Sequence, residues 1–172
     1  PYNALMWFEL RFELLVGSGA LLGSQGLSVC LGELPDAPFG EAGAGDGLQL
    51  RFLTQRAQPD FELLEVWHAG TRLLSAPVST ATSWLRSRTW VPVLVRLDAD
   101  GLHVEHDGRA LLSRFQLRGW APQPSWRLGI GARAGRRTEQ HWVDNLAVAS
   151  GLLVDVAAAP VRVSFNGQQY AE

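Results

Sequence analysis

Apolar and polar residues alternate along most of this chain. From Trp7 to Val16, Phe8, Leu10, Phe12 and Leu14 fall on one parity, and Trp7, Glu9, Arg11 and Glu13 on the other. A period of two is the mark of a strand with one buried and one wet face. Gly47 to Thr54 repeats it, with Leu48, Leu50 and Phe52 against Gln49 and Arg51. Phe61 to Trp67 and Thr71 to Leu74 flank His68-Ala69-Gly70, a short hairpin connection. In Trp90 to Asp98, Val91, Val93, Val95 and Leu97 alternate with Pro92, Leu94 and Arg96; Pro92 argues for an edge or bulge position. Asp100-Gly101 and Asp107-Gly108 each read as a type I′ hairpin turn, which predicts a tight three-strand meander through Leu102 to Glu105 and Arg109 to Leu117. Ser125 to Arg133 and Gln140 to Ser150 supply the last strands of the body. Helical periodicity is nearly absent, a short turn around Asp36 to Glu41 being the best candidate. Many short strands with Gly/Pro turns predict an all-β antiparallel sandwich or barrel.

After Ser150 the pattern changes. Gly151 to Pro160 is an Ala-rich apolar connection, and Val161 to Phe165 is one more strand before Asn166-Gly167. This strand either returns to the sandwich or opens a following domain, so the division is 1–150 for the sandwich and 151–172 for the trailing piece. Pro1-Tyr2-Asn3 reads as a cut from a longer protein, no signal peptide opens the chain, and no apolar run approaches a membrane span.

Composition narrows the function classes. The 172 residues suit one domain with a sizeable core. A net charge of −2 gives no electrostatic case for nucleic acid or for an anionic membrane. All 15 basic residues are arginine, which reads as a coding bias. Cys30 is the only cysteine, so no intrachain disulfide forms; within the apolar run Leu27 to Leu31 it reads as buried and inert. No Ser-His-Asp arrangement, phosphate loop or zinc spacing is present, and His103 and His106, three apart, fall on opposite faces of a strand.

The richest stretch is Gly26 to Thr54. A short apolar strand enters a Gly/Pro/acid loop, Gly40-Glu41-Ala42-Gly43-Ala44-Gly45-Asp46-Gly47, and the strand Arg51-Phe52-Leu53-Thr54 leaves it. With Gly26-Leu27-Ser28-Val29, Trp90-Val91-Pro92-Val93, Trp126 to Arg133 and His141-Trp142-Val143-Asp144-Asn145-Leu146, in that order, it resembles the concanavalin A-like family, the L-type lectin and LamG-like jelly rolls. The resemblance covers about residues 7 to 150. It implies an antiparallel two-sheet jelly-roll sandwich, extracellular or cell-surface display, and carbohydrate or protein binding. Val161 to Gly167 is similar to the opening strand of immunoglobulin-like (TIG/filamin-type) domains, which would make the chain part of a modular surface protein.

Departures from that family bear on chemistry. In legume-type lectins the strand at Leu50 to Thr54 would read Glu-Phe-Asp-Thr, its acids ligating paired metal ions; here Arg51 and Leu53 stand at those places. Arginine repels a cation and leucine offers no ligand atom. Where those lectins hold sugar hydroxyls with an Asp before Gly-Leu, this chain has Gln25. Asp36, Glu41 and Asp46 share a loop and offer oxygen to calcium, although their spacing fits no defined metal loop and a solvated acidic loop is the blander reading, so no cofactor is expected. Glucanases related to this fold carry Glu-x-Asp-x-x-Glu on one strand; the nearest match, Glu62 and Glu65, places its acids on opposite faces.

The expectation is a non-catalytic recognition or assembly module. Its candidate ligand-binding residues are Gln25, Gly43, Gly45, Asp46, Arg133, Arg136, Arg137, Glu139 and His141, the last five flanking a basic loop. The ligand would be a glycan or a protein, with neighbouring domains of the same chain as further partners. The alternatives are a structural domain packing against neighbours or copies and, less favoured, a glycoside hydrolase. Trp84 and Trp90 are further candidates for stacking on sugar rings, and Trp120 with Trp126 for clamping the loop between them. Asp144 and Asn145 interrupt an apolar strand and predict a local hydrogen-bonded turn or bulge.

Overall fold

The structure, a computed structural model, describes residues 5–17, 26–54, 62–77, 85–87, 89–123, 125–133, 140–152, 162–165 and 168–171. It is built from strands β1 (Leu5–Val16), β2 (Gly26–Gly32), β3 (Leu48–Leu53), β4 (Leu63–His68), β5 (Thr71–Pro77), β6 (Val91–Asp98), β7 (Gly101–His106), β8 (Arg109–Phe115), β9 (Arg127–Arg133), β10 (His141–Leu152), β11 (Arg162–Phe165) and β12 (Gln168–Ala171). They form a five-stranded sheet, β10-β1-β6-β7-β8, and a seven-stranded sheet, β12-β11-β9-β2-β3-β4-β5. Pairing is antiparallel except between β11 and β9. Among the described residues no helix is long and apolar enough to cross a membrane.

The alternation read in the sequence is what closes the sandwich. Phe8, Leu10, Phe12, Leu14 and Val16 of β1 are each at most 4% exposed and meet Leu27 and Val29, Leu48, Leu50 and Phe52, and Leu64 and Val66 of the facing sheet. Burying that many large side chains, each favourable by about 1.5–3 kcal/mol, is the main force holding the two sheets together. Trp120 packs against this core, contacts Trp126 edge-on at 5.4 Å and lies 5.8 Å from the His68 ring, so the tryptophan clamp forms.

Several local expectations are corrected. Asp36 and Ala37 form a bend, and the expected short turn falls at Glu41-Ala42, where Gly43 N donates to Gly40 O at 3.0 Å; Pro35, Pro38 and Gly40 keep the stretch from becoming helical. The β6–β7 loop is Ala99–Asp100, closed by the pair Asp98↔Gly101, and is not a type I′ turn on Asp100-Gly101. There the Asp98 side chain accepts from the Asp100 N–H at 2.9 Å. At Asp107-Gly108 both φ angles are positive (52° and 70°), as type I′ requires, and Ala69-Gly70 (48° and 72°) does the same for the β4–β5 hairpin. Pro92 lies on β6, an interior strand, instead of an edge. It is tolerated because its carbonyl, and so its missing N–H, faces the end of the β7 hairpin, where Asp107 N donates to Pro92 O at 2.9 Å.

Extra residues interrupt the pairing in β1, β5, β8 and β10, and those in β10 and β5 place side chains discussed below. In β10 the register slips between Arg11↔Ala147 and Glu13↔Asp144, so Asn145 and Leu146 together oppose Phe12. Asn145 has φ 52°, takes its own N–H to Asp144 Oδ1 at 2.8 Å and donates Nδ2 to Glu13 Oε2 at 2.6 Å, which is the bulge expected at this dipeptide. In β5 the slip falls at Leu73, between Val66↔Leu74 and Trp67↔Arg72.

Candidate functional site

The site is built on the outer face of the seven-stranded sheet, the face turned away from the core. Alternation puts Ser28 and Cys30 of β2, Gln49, Arg51 and Leu53 of β3, and Leu63, Glu65 and Trp67 of β4 on this side. Residues 33–47, the connection from β2 to β3, fold back over the half of this face formed by β9 and β2. Arg127 of β9 fixes its start, with Nη1 at 2.8 Å from Asp36 Oδ1 and Nη2 donating to Leu34 O. Phe39 lies on the bare backbone of β9: a Cβ on Gly131 would come within 2.4 Å of its ring. Ser28 Oγ then donates to Gly40 O (2.7 Å), the Cys30 sulfur accepts from Ala44 N (3.4 Å), Gln49 Nε2 donates to Gly45 O (2.7 Å), and Asp46 Oδ1 accepts from Glu33 N (3.2 Å).

Cys30 is accordingly buried, as its place in an apolar run suggested. It lies under the 40–47 loop, and burial pushes its thiol above the ordinary range, which disfavours a reactive thiolate. Gly43 has to be glycine for two reasons. Its φ is +70°, and a Cβ there would sit 2.7 Å from Gln49 Oε1.

The half formed by β3, β4 and β5 carries a compact, largely buried polar and aromatic group. The Arg51 guanidinium lies over the Trp67 ring, 3.9 Å from its centroid, donates Nη2 to Gln49 Oε1 at 2.7 Å, and reaches Glu65 Oε2 at 4.0 Å. Glu65, 5% exposed, also accepts from Trp67 Nε1 (2.8 Å), Arg72 Nη1 (3.3 Å) and Ser75 Oγ (3.3 Å). Arg72 and Ser75 are three apart and would face opposite sides of a regular strand; the extra residue Leu73 turns both toward Glu65. Burial lowers the Arg51 pKa from its ordinary value, an effect opposed by Glu65, Cys30 and Glu41.

The expected site residues fare differently. Gly43, Gly45 and Asp46 all lie on the folded-back loop. Arg133 meets its start: a Cβ on Gly40 would be 3.0 Å from the Arg133 Cβ. His141 begins β10 on the other sheet, paired with Val16, and the pairing aligns it with the core-facing side of β1. Gln25, Arg136, Arg137 and Glu139 lie outside the described residues, as does Trp84. Trp90 is 40% exposed, with its ring 6.3 Å from that of Trp142. Sequence reasoning missed Gln49, Glu65, Trp67 and Arg72 as a group. The alternation of β3 and β4 carried the signal for the first three, but Arg72 joins them only through the bulge.

These residues do not fit a divalent metal. Calcium takes six to eight oxygen ligands. At the place the resemblance reserves for acids stands the Arg51 cation, and both oxygens of Glu65 are engaged by donors. Asp36 is paired with Arg127, and Asp46 with the backbone of Glu33. Among the described residues no three His, Cys, Asp or Glu side chains converge as a metal set would. Glu62 is held elsewhere than Glu65, with Oε2 accepting from Leu85 N at 3.0 Å and Oε1 3.9 Å from Arg86.

No protein-family model matches the sequence, and no characterised protein matches it by sequence search. Solved structures do resemble it. The Emp47p carbohydrate recognition domain aligns over 87% of this chain and 74% of its own, with 19% identity and a TM-score of 0.61. The VIP36 exoplasmic/lumenal domain in its Ca2+/Man3GlcNAc-bound form aligns over 90% and 73%, with 16% identity and a TM-score of 0.67. Its metal-free form gives 15% identity and a TM-score of 0.61 over the same shares. The chain has the two-sheet jelly-roll fold of L-type lectin carbohydrate recognition domains.

Proposed function

We propose that this chain is a non-catalytic recognition module that binds a glycan at the outer face of its seven-stranded sheet, without a metal pair. The observation that carries the reading is the juxtaposition of the folded-back 40–47 loop with the Arg51, Glu65, Trp67 and Arg72 group. A partly exposed indole, the half-exposed Arg72 guanidinium held by Glu65, and a glycine-rich backbone edge are the chemistry that recognises sugar rings and hydroxyls. The likeness to the VIP36 domain, whose bound form carries Man3GlcNAc, supports a carbohydrate ligand. Its exoplasmic/lumenal setting supports display outside the cytosol, at the cell surface or beyond. Arg133, beside Gly40, and Arg136, Arg137, Glu139 and Gln25 complete the proposed rim, whereas His141, on the other sheet, is left out of it. The absence of catalysis is supported by Glu62 and Glu65 being held by different partners. A retaining or inverting pair needs two carboxyl groups about 5–10 Å apart across one cleft. Residues 151–172 are proposed to belong to the sandwich, a reading supported by the parallel pairing of β11 with β9.

The test is a glycan array probed with the purified chain in calcium and in EDTA. Binding to mannose-type or related glycans in both conditions, weakened about tenfold by Trp67→Ala, is the expected result. No ligand in either condition removes the reading.

A second reading, assembly through a sheet face, is favoured by one observation. The outer face of the five-stranded sheet exposes Trp7 (40%) near one end, and Trp142 (50%) beside Trp90 (40%) near the other. Paired, half-exposed tryptophans are uncommon on a surface that meets only water.

A further inference from the structure

The mismatch between this rim and a metal site has a positive counterpart. Arg51 stands at the centre of a chain of contacts that ends on the loop. Glu65 and Trp67 hold its guanidinium from the β4 side. On the other side, Nη2 donates to Gln49 Oε1, and Gln49, 6% exposed, passes its Nε2 on to Gly45 O; each bond is 2.7 Å. An amide side chain has one accepting and one donating end, so a donor at Oε1 fixes which end faces the loop. On the loop, Oε2 of Glu41 is buried with no hydrogen-bond partner among the described residues. A half-buried guanidinium interacts with such groups more strongly than a solvated one.

We propose that Arg51 is a built-in cation that positions the 40–47 loop. Through Gln49 it does from within the chain the ordering that a bound divalent ion would otherwise supply, so the loop keeps its shape with no metal. The consequence for ligand binding rests on the recognition reading above; the ordering of the loop does not.

Hydrogen exchange of the 40–47 amides tests this on the whole chain without any glycan. In the wild type, exchange there is expected to be the same in excess calcium and in EDTA. Arg51→Met and Gln49→Leu should each speed it about tenfold while the amides of β1 and β6 keep their protection. Because the two residues act in series, the double variant should add little beyond either single one. Gln49→Leu leaves the Arg51–Glu65–Trp67 contacts in place, so it reads the relay even if Arg51→Met does not fold. Faster exchange of the wild-type loop in EDTA, or an unchanged loop in Gln49→Leu, overturns the proposal. A loop that depends on Arg51 in a chain that captures no glycan would keep this inference and remove the recognition reading. Glycan capture with a loop indifferent to Gln49 would do the reverse.

Discussion

His106 illustrates how one side chain ties the stability of this fold to pH. It ends β7 on the core-facing side, 1% exposed, beside Leu102 and Val104 on the same parity. Burial pushes its pKa from 6.5 down to about 4, only partly countered by the neighbouring Asp107. The fold therefore accepts the neutral ring. Between pH 6.5 and about 4 the unfolded chain binds a proton that the folded chain does not, so stability falls as pH drops through that window. The loss attributable to this residue is roughly 3 kcal/mol. Urea unfolding of His106→Phe should show a shallower decline than the wild type between about pH 7 and pH 4.5, with the largest gap at the acid end. Equal slopes would show that His106 contributes no linkage. The sequence did place His103 and His106 on opposite faces, since strand parity needs only the numbering. It gave no sign of the ring's environment, which depends on the strands packed over it.

At the scale of elements, the bulges of β10 and β5 do the same geometric work. Val143 and Leu146 are three apart, yet both pack against the core, and Asn145 is the residue that makes this possible. Arg72 and Ser75 are likewise three apart, and Leu73 brings both to Glu65. The first bulge was legible because Asp-Asn interrupts an apolar run and both side chains bond readily to nearby backbone. The second was not, because Leu73 looks like any strand residue and the slip arises from pairing with β4. Asn145→Ala removes both the tolerance of positive φ and the bond to Glu13. It should cost about 1–2 kcal/mol in chemical denaturation. Asn145→Gly, which restores the backbone freedom, should recover part of that loss. If alanine is as stable as the wild type, the bulge is held by its neighbours and not by Asn145.

On the scale of the molecule, the two sheets present different outer surfaces. The seven-stranded sheet is covered in part by its own 33–47 loop and elsewhere carries charge around Trp67, whereas the five-stranded sheet offers exposed indoles. The assembly reading belongs here. If the indole pair meets a second copy, sedimentation velocity should show a concentration-dependent dimer that Trp142→Arg dissolves. A monomer at all concentrations would remove self-association and leave the glycan face as the functional surface.

By itself the sequence determined the all-β architecture, the core-facing residues, most strand limits and the placing of Arg51 and Leu53 on one face of β3. Each of these depends on periodicity or residue type within one strand, and such information is local. Only the tertiary structure decided where the 33–47 loop goes. That loop folds onto glycines of β9, nearly a hundred residues further along, and its hydrogen bonds are made by side chains that local pattern marks merely as outward-facing. The same long-range pairing put Arg51 at the centre of a hydrogen-bonded group, since Glu65, Trp67 and Arg72 come beside it only when three strands align.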